Sequence, residues 1–209
     1  MNPPRAPRLA LAALAAAAAL TACGSPGDLM KDSGDDDGGL RTSDLLITKA
    51  ALPQGWRDSN SQGLDYRTTV CGVDIEPQEP VRATSIRFAK GPLGPFLEQH
   101  VRIYDTDAAA TDVIAALRDA LPGCHGYTTT GTASGSPTAT FRVEPLTVAG
   151  APPDSVAWRQ TSQGDLPITA DVLLVRRGTA AVLLMSYVLR GRPEADVLTS
   201  AAAAVPEVD

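Results

Sequence analysis

Three cysteines and two histidines carry most of the reactive chemistry open to this 209-residue chain. Cys23 sits just beyond an unbroken apolar run, Leu9 to Leu20, as a thiol nucleophile where hydrophobic chain gives way to polar chain. Cys71 and Cys124 lie in the polar remainder, and His125 follows Cys124 directly. His100 falls in a strand-like stretch next to Arg102, and Asp171 is an acid inside an otherwise apolar stretch. His100 and Asp171 are therefore the candidate acid–base groups of a hydrolase. The plainer alternatives are a partly buried structural histidine and an aspartate that is solvated or paired with an arginine. Arg82, Arg87 and Arg102 cluster in sequence and can form an anion-binding wall or a surface ladder with acids. Arg82, His100, Arg102 and Tyr104 are the candidate ligand-binding residues. The chain has no G-x-S-x-G, P-loop, dinucleotide fingerprint or HExxH motif, so no cofactor and no metal are expected.

The elements that would position these residues begin with an export signal. Residues 1–22 open with Arg5 and Arg8, continue through the apolar run and end in small residues. That order marks a secretory signal too short to span a bilayer, which takes roughly 20 apolar residues. Leu20-Thr21-Ala22-Cys23 resembles the lipobox of bacterial lipoproteins. The resemblance implies that the Cys23 thiol receives diacylglycerol, that the signal is cut before it, and that the protein is anchored on the extracytoplasmic face of the cell membrane.

The net charge of −6 fits that anchor. Removing residues 1–22 leaves 16 basic against 24 acidic side chains. Such a chain has no electrostatic basis for binding nucleic acid and is repelled by anionic head groups, so lipid must supply the attachment. Residues 23–43 are rich in glycine, serine and aspartate and read as a disordered tether. Its Asp35-Asp36-Asp37 run lacks the closing Glu of a calcium loop and reads as solvated spacer.

Residues 44–209 read as one α+β domain, a largely antiparallel sheet with helices packed on it. A short helix is expected over 43–52, stopped by Pro53, and the following turn delivers Trp56 to the surface or the core edge. Polar chain follows to 65, then one short strand over 66–73. Strands over 81–90 and 96–105 make a hairpin across Gly91–Pro95. Pairing Lys90 with Phe96 sets Arg82 across from Tyr104, Thr84 from Arg102 and Ile86 from His100 on a mixed face. Ala83, Ser85, Val101 and Ile103 then form an apolar one. The clearest helix is Asp107–Leu121, with Ala110, Val113, Ile114, Leu117 and Leu121 in one stripe. Residues 127–137 fit either a strand or a loop. Strands are expected over 138–146, 155–161, 166–177 and 179–190, the last central because Val182–Met185 is apolar on both faces. A helix over 193–205 ends the chain.

With Cys23 committed to lipid, Cys71 and Cys124 are an even pair in an oxidising compartment, which points to one disulfide. A redox or metal role is the alternative, but no C-x-x-C spacing occurs, and Cys124-His125 offers two adjacent ligands at best.

The residues of 44–209 also carry a family resemblance. Leu45-Leu46-Ile47-Thr48, Leu52-Pro53-Gln54-Gly55-Trp56, Cys71-Gly72 and Val101-Arg102-Ile103-Tyr104-Asp105 lead into a helix ending Leu117-Arg118-Asp119-Ala120-Leu121-Pro122-Gly123-Cys124, with Val175-Arg176-Arg177-Gly178 late. Together they resemble actinobacterial lipoproteins similar to the PknH-type extracellular sensor domain. That resemblance implies an α+β domain with a cleft and an unidentified ligand. The family commonly has two disulfides, and this chain has cysteines for one. The expected function is a lipid-anchored, non-catalytic envelope protein that binds a small molecule or an envelope partner. An envelope hydrolase using His100 and Asp171, or an assembly role, are the alternatives.

Overall fold

The computed structural model describes residues 39–60, 67–131, 135, 138–165 and 167–208. The signal segment, Cys23 and the tether up to residue 38 lie outside the described residues, as do Ser134 and Ser136. Among the described residues, ten strands and two α-helices follow in chain order: β1 Arg57–Asp58, β2 Thr69–Val70, β3 Val73–Asp74, β4 Arg82–Ala89, β5 Phe96–Ile103, α1 Asp107–Ala120, β6 Gly126–Thr130, β7 Thr138–Pro145, β8 Ser155–Ser162, β9 Ile168–Arg177, β10 Ala180–Leu189 and α2 Ala195–Ala204. Eight strands form one antiparallel sheet in the order β1-β4-β5-β10-β9-β8-β7-β6, and β2 and β3 form a separate small hairpin. The expected α+β class is the observed one, and β10 is central as its two-sided apolar run requires.

Both faces of the sheet are covered. Alternation sends Leu97, Val101, Leu173, Val175, Val182 and Leu184 to a first face, where they meet Val197, Leu198 and Ala201 of α2 and Leu45, Ile47 and Trp56 of the N-terminal segment. The opposite residues Val172, Leu174, Ala181 and Leu183 meet Ala110, Val113, Ile114 and Leu117 of α1 on the second face. Ala110, Val113, Ile114 and Leu117 of the stripe read from sequence are thus buried on α1, together with Ala109, whereas Leu121 falls in the 3-10 turn that follows and is half-buried. Each such leucine or isoleucine contributes about 1.5–3 kcal/mol by leaving water.

Four local expectations are corrected. Residues 43–52 form no α-helix but two 3-10 turns, Thr42–Leu45 and Lys49–Ala51. The reason is Gln99 of β5, wholly buried, whose Oε1 accepts from the Ile47 N–H at 2.9 Å and whose Nε2 donates to the Leu45 carbonyl at 2.8 Å. Those two backbone groups go to a side chain instead of to a helix. Residues 57–58, expected as loop, pair with the β4 edge.

The strand expected over 66–73 is instead the β2–β3 hairpin, since Val70 pairs with Val73 across Cys71-Gly72. Cys71 and Gly72 both have positive φ, +53° and +81°, as the tight primed turn demands.

The β4–β5 register differs by one residue from the expected one. The Lys90 N–H donates to the Pro95 carbonyl at 3.1 Å, so the loop closes on that pair and Ala89 faces Phe96. Arg82 consequently faces Ile103, Ala83 faces Arg102 and Ser85 faces His100. A one-residue slip moves every β4 side chain to the other face. Thr84 and Ile86 therefore share the apolar face with Val101, and Arg82 is separated from His100 and Arg102.

Candidate functional site

On the second face, α1 covers one half of the sheet and leaves the other half concave. The lining comes from side chains of one parity on neighbouring strands: Tyr127 of β6, Phe141 of β7, Trp158 and Gln160 of β8, Ala170 and Val172 of β9, and Leu183 and Met185 of β10. The antiparallel registers set these side by side, with Trp158 across from Val172 and Val172 across from Met185. Val70 and Ile75, from the β2–β3 hairpin and the chain just after it, form the facing wall with Arg67. The cavity, open to solvent at its rim, measures about 280 Å³.

The Cys71–Cys124 disulfide holds that wall in place. It ties the hairpin turn to the chain that leaves α1 through a 3-10 turn at Leu121–Gly123, with the two Cα atoms 5.8 Å apart. A two-strand hairpin is marginal by itself, so the covalent link and the apolar contacts of Val70 and Ile75 are what give it a fixed position.

Gln160 is the polar centre of the cavity wall. Its Oε1 accepts from the Tyr127 hydroxyl at 2.6 Å and from the Trp158 Nε1–H at 2.9 Å. An indole nitrogen can only donate, so the oxygen must be the amide atom turned toward it. The amide nitrogen then points the other way and has no partner among the described residues. Tyr127 stacks on Phe141 with centroids 5.3 Å apart, and burial pushes its phenol pKa upward. Arg67 lies over the Phe141 ring at 5.8 Å and donates from Nη1 to the Thr129 carbonyl at 3.1 Å.

His100 reaches the cavity from β5 and is 4 % exposed. Its Nε2 lies 3.2 Å from Oε2 of Glu98, which is wholly buried. The Tyr187 hydroxyl donates to Glu98 Oε1 at 2.7 Å, and Arg87 Nε lies 3.4 Å from the same oxygen. A buried carboxylate needs such partners, and here a histidine, a tyrosine and an arginine surround it.

A family model described as PknH-like extracellular domain matches residues 58–203. The chain belongs to the PknH-like extracellular domain family. The chain is accordingly an extracytoplasmic domain. The crystal structure of the extracellular domain of PknH from Mycobacterium tuberculosis is a structural neighbour at 15% identity and TM-score 0.47, covering 79% of this chain and 90% of that one. No curated protein matches the sequence.

Within this PknH-like domain, the sequence-predicted site residues separate. His100 alone of the four candidate ligand-binding residues lines the cavity. Arg102 shares its face but donates from Nε to Glu76 Oε2 at 3.1 Å. Tyr104 is buried against α1, and its hydroxyl has no hydrogen-bond partner among the described residues. Desolvation, with the Glu76 carboxylate nearby, pushes its pKa up to about 12. Arg82, at the far end of the sheet's first face, donates from Nη1 to the Leu40 carbonyl at 3.1 Å. The expected mixed face of Arg82, His100, Arg102 and Tyr104 is therefore corrected.

Asp171 is neither solvated nor near His100. It is 2 % exposed, and Arg159 grips it with Nε at 2.5 Å from Oδ1 and Nη2 at 2.7 Å from Oδ2. His125 is exposed, as expected.

Sequence reasoning missed Tyr127, Phe141, Trp158, Gln160 and Glu98. One signal was present: Trp158, Gln160 and Ser162 alternate along β8, placing an aromatic and an amide on one face.

Proposed function

We propose that this chain is a lipid-anchored, non-catalytic, sensor-type protein of the cell envelope whose domain binds a small molecule in the cavity between the β2–β3 hairpin and the sheet. The observation that carries the reading is the cavity itself, a concave and mainly apolar site with an unpartnered amide donor in its wall. Ligand sites combine such walls with a few placed polar groups. The anchor rests on the Leu20–Cys23 lipobox and on an acidic chain that needs lipid to stay at a membrane.

The hydrolase alternative loses its acid–base pair, because His100 and Asp171 do not share a site. The large hydrophobics exposed among the described residues are Val81 and Leu93, at opposite ends of β4. They make no common patch of the kind an assembly surface uses.

Two measurements test the reading. Native mass spectrometry of protein from producing cells should show a bound small molecule that the rim variant Ala139→Trp loses; equal occupancy in both would sink the cavity reading. Metabolic fatty-acid labelling should mark the wild type and spare Cys23→Ala, which accumulates as precursor. Normal processing and membrane retention of that variant would refute the anchor.

A further inference from the structure

From the donors and acceptors of the cavity wall, and resting on the proposed ligand-binding reading, we infer that its ligand is a small, uncharged, mainly apolar molecule that offers one hydrogen-bond acceptor to Gln160 Nε2. The side chain of Gln160 is held in one orientation. Trp158 and Tyr127 both donate to its oxygen, so turning the amide over would set N–H against the indole N–H and lose that bond. The residue is 8 % exposed, and its amide nitrogen is open to the water of the cavity. A ligand that displaces this water buries the N–H groups, a cost that an acceptor on the ligand offsets. A ligand lacking an acceptor forfeits that gain.

The rest of the wall argues against ligand charge. Apolar side chains of β7, β9 and β10 dominate the lining. The histidine there already faces Glu98, and Arg67 is engaged by the Thr129 carbonyl and the Phe141 ring. An ionised ligand would enter a desolvating space whose charged groups have other partners. The cavity volume of about 280 Å³ is at the small end for ligand pockets, which limits the occupant to a compact molecule.

The test uses three probes that share a diphenyl skeleton on the full chain, by isothermal titration calorimetry. Benzophenone has a carbonyl acceptor, diphenylmethane has a methylene in its place, and diphenylacetate has a carboxylate. Benzophenone should bind about tenfold more tightly than diphenylmethane, the effect of one hydrogen bond worth ~1.4 kcal/mol. Diphenylacetate should bind most weakly. The Gln160 side-chain amide proton resonances should shift with benzophenone. In Gln160→Met the preference should vanish while diphenylmethane still binds. The wild-type comparison decides by itself if that variant fails to fold.

Equal binding of benzophenone and diphenylmethane, or tightest binding of diphenylacetate, overturns the inference about ligand class if Ala139→Trp still abolishes it. No binding of any probe, or binding that Ala139→Trp leaves intact, overturns the cavity reading beneath it.

Discussion

His100 and Asp171 stand on opposite faces of the same sheet. His100 pairs with Leu183 of β10, whereas Asp171 pairs with Ser186, three positions along that strand. An odd offset along a strand reverses the face. Two polar residues that look like a catalytic pair in sequence therefore belong to separate networks, Glu98 with His100 on one side and Arg159 with Asp171 on the other.

The Arg159–Asp171 pair makes the first prediction. Their side chains are 16% and 3% exposed, so removing the carboxylate leaves a guanidinium largely shielded from water. Asp171→Ala should lose about 3 kcal/mol of stability, seen as a lower urea midpoint. Replacing both residues with leucine should recover most of it. An unchanged midpoint in Asp171→Ala would show that the pair contributes nothing.

Gln99 makes the second. Gln99→Leu keeps the side-chain volume but strands the Ile47 N–H and the Leu45 carbonyl, a cost of about 2–4 kcal/mol for two unsatisfied groups. Hydrogen exchange at the Ile47 amide should speed up far more than exchange in β9 or β10. Uniform acceleration across the domain would argue against a local clip.

Reduction of Cys71–Cys124 should destabilise the domain by roughly 4 kcal/mol on loop-entropy grounds. Under native conditions the paired Cys71→Ser, Cys124→Ser variant should lose protection first at Val70 and Val73. It should also bind cavity probes more weakly, because the hairpin supplies one wall. Unchanged probe affinity in the folded variant would separate the staple from the site.

Tyr104 sets an alkaline limit. Its folded-state pKa is raised, so the folded state holds the phenolic proton to higher pH than the unfolded chain does. Stability from this group is present below pH ~10 and falls as pH climbs toward about 12, by up to about 1.4 kcal/mol per unit. Denaturation midpoints across that range should fall less steeply in Tyr104→Phe. That variant should also match or exceed the wild type at neutral pH, since it removes a buried hydroxyl with no partner among the described residues. Identical alkaline slopes would place the dependence elsewhere.

The parts legible in sequence were those governed by short-range pattern. The α1 stripe recurs at three and four positions within one element, so its buried face follows from residue order. The β9–β10 hairpin declares itself through two apolar runs about a two-residue turn at Gly178-Thr179, where Gly178 has φ +54°. Parity of the cysteines pointed to Cys71–Cys124 without any geometry. Register and site were decided differently. The β4–β5 pairing turned on one loop hydrogen bond, Lys90 to Pro95, which no residue pattern encodes. Residues 45–47 have helix-like apolar spacing, but their backbone groups bond to a glutamine more than 50 positions away. The cavity needs Tyr127, Trp158 and Gln160 to meet across three strands, and Val70 to be held over them by a disulfide. Residue order determined the elements and their apolar faces, because those depend on near neighbours. Only the tertiary structure decided which polar side chains share a face, because that depends on register and on contacts between distant strands.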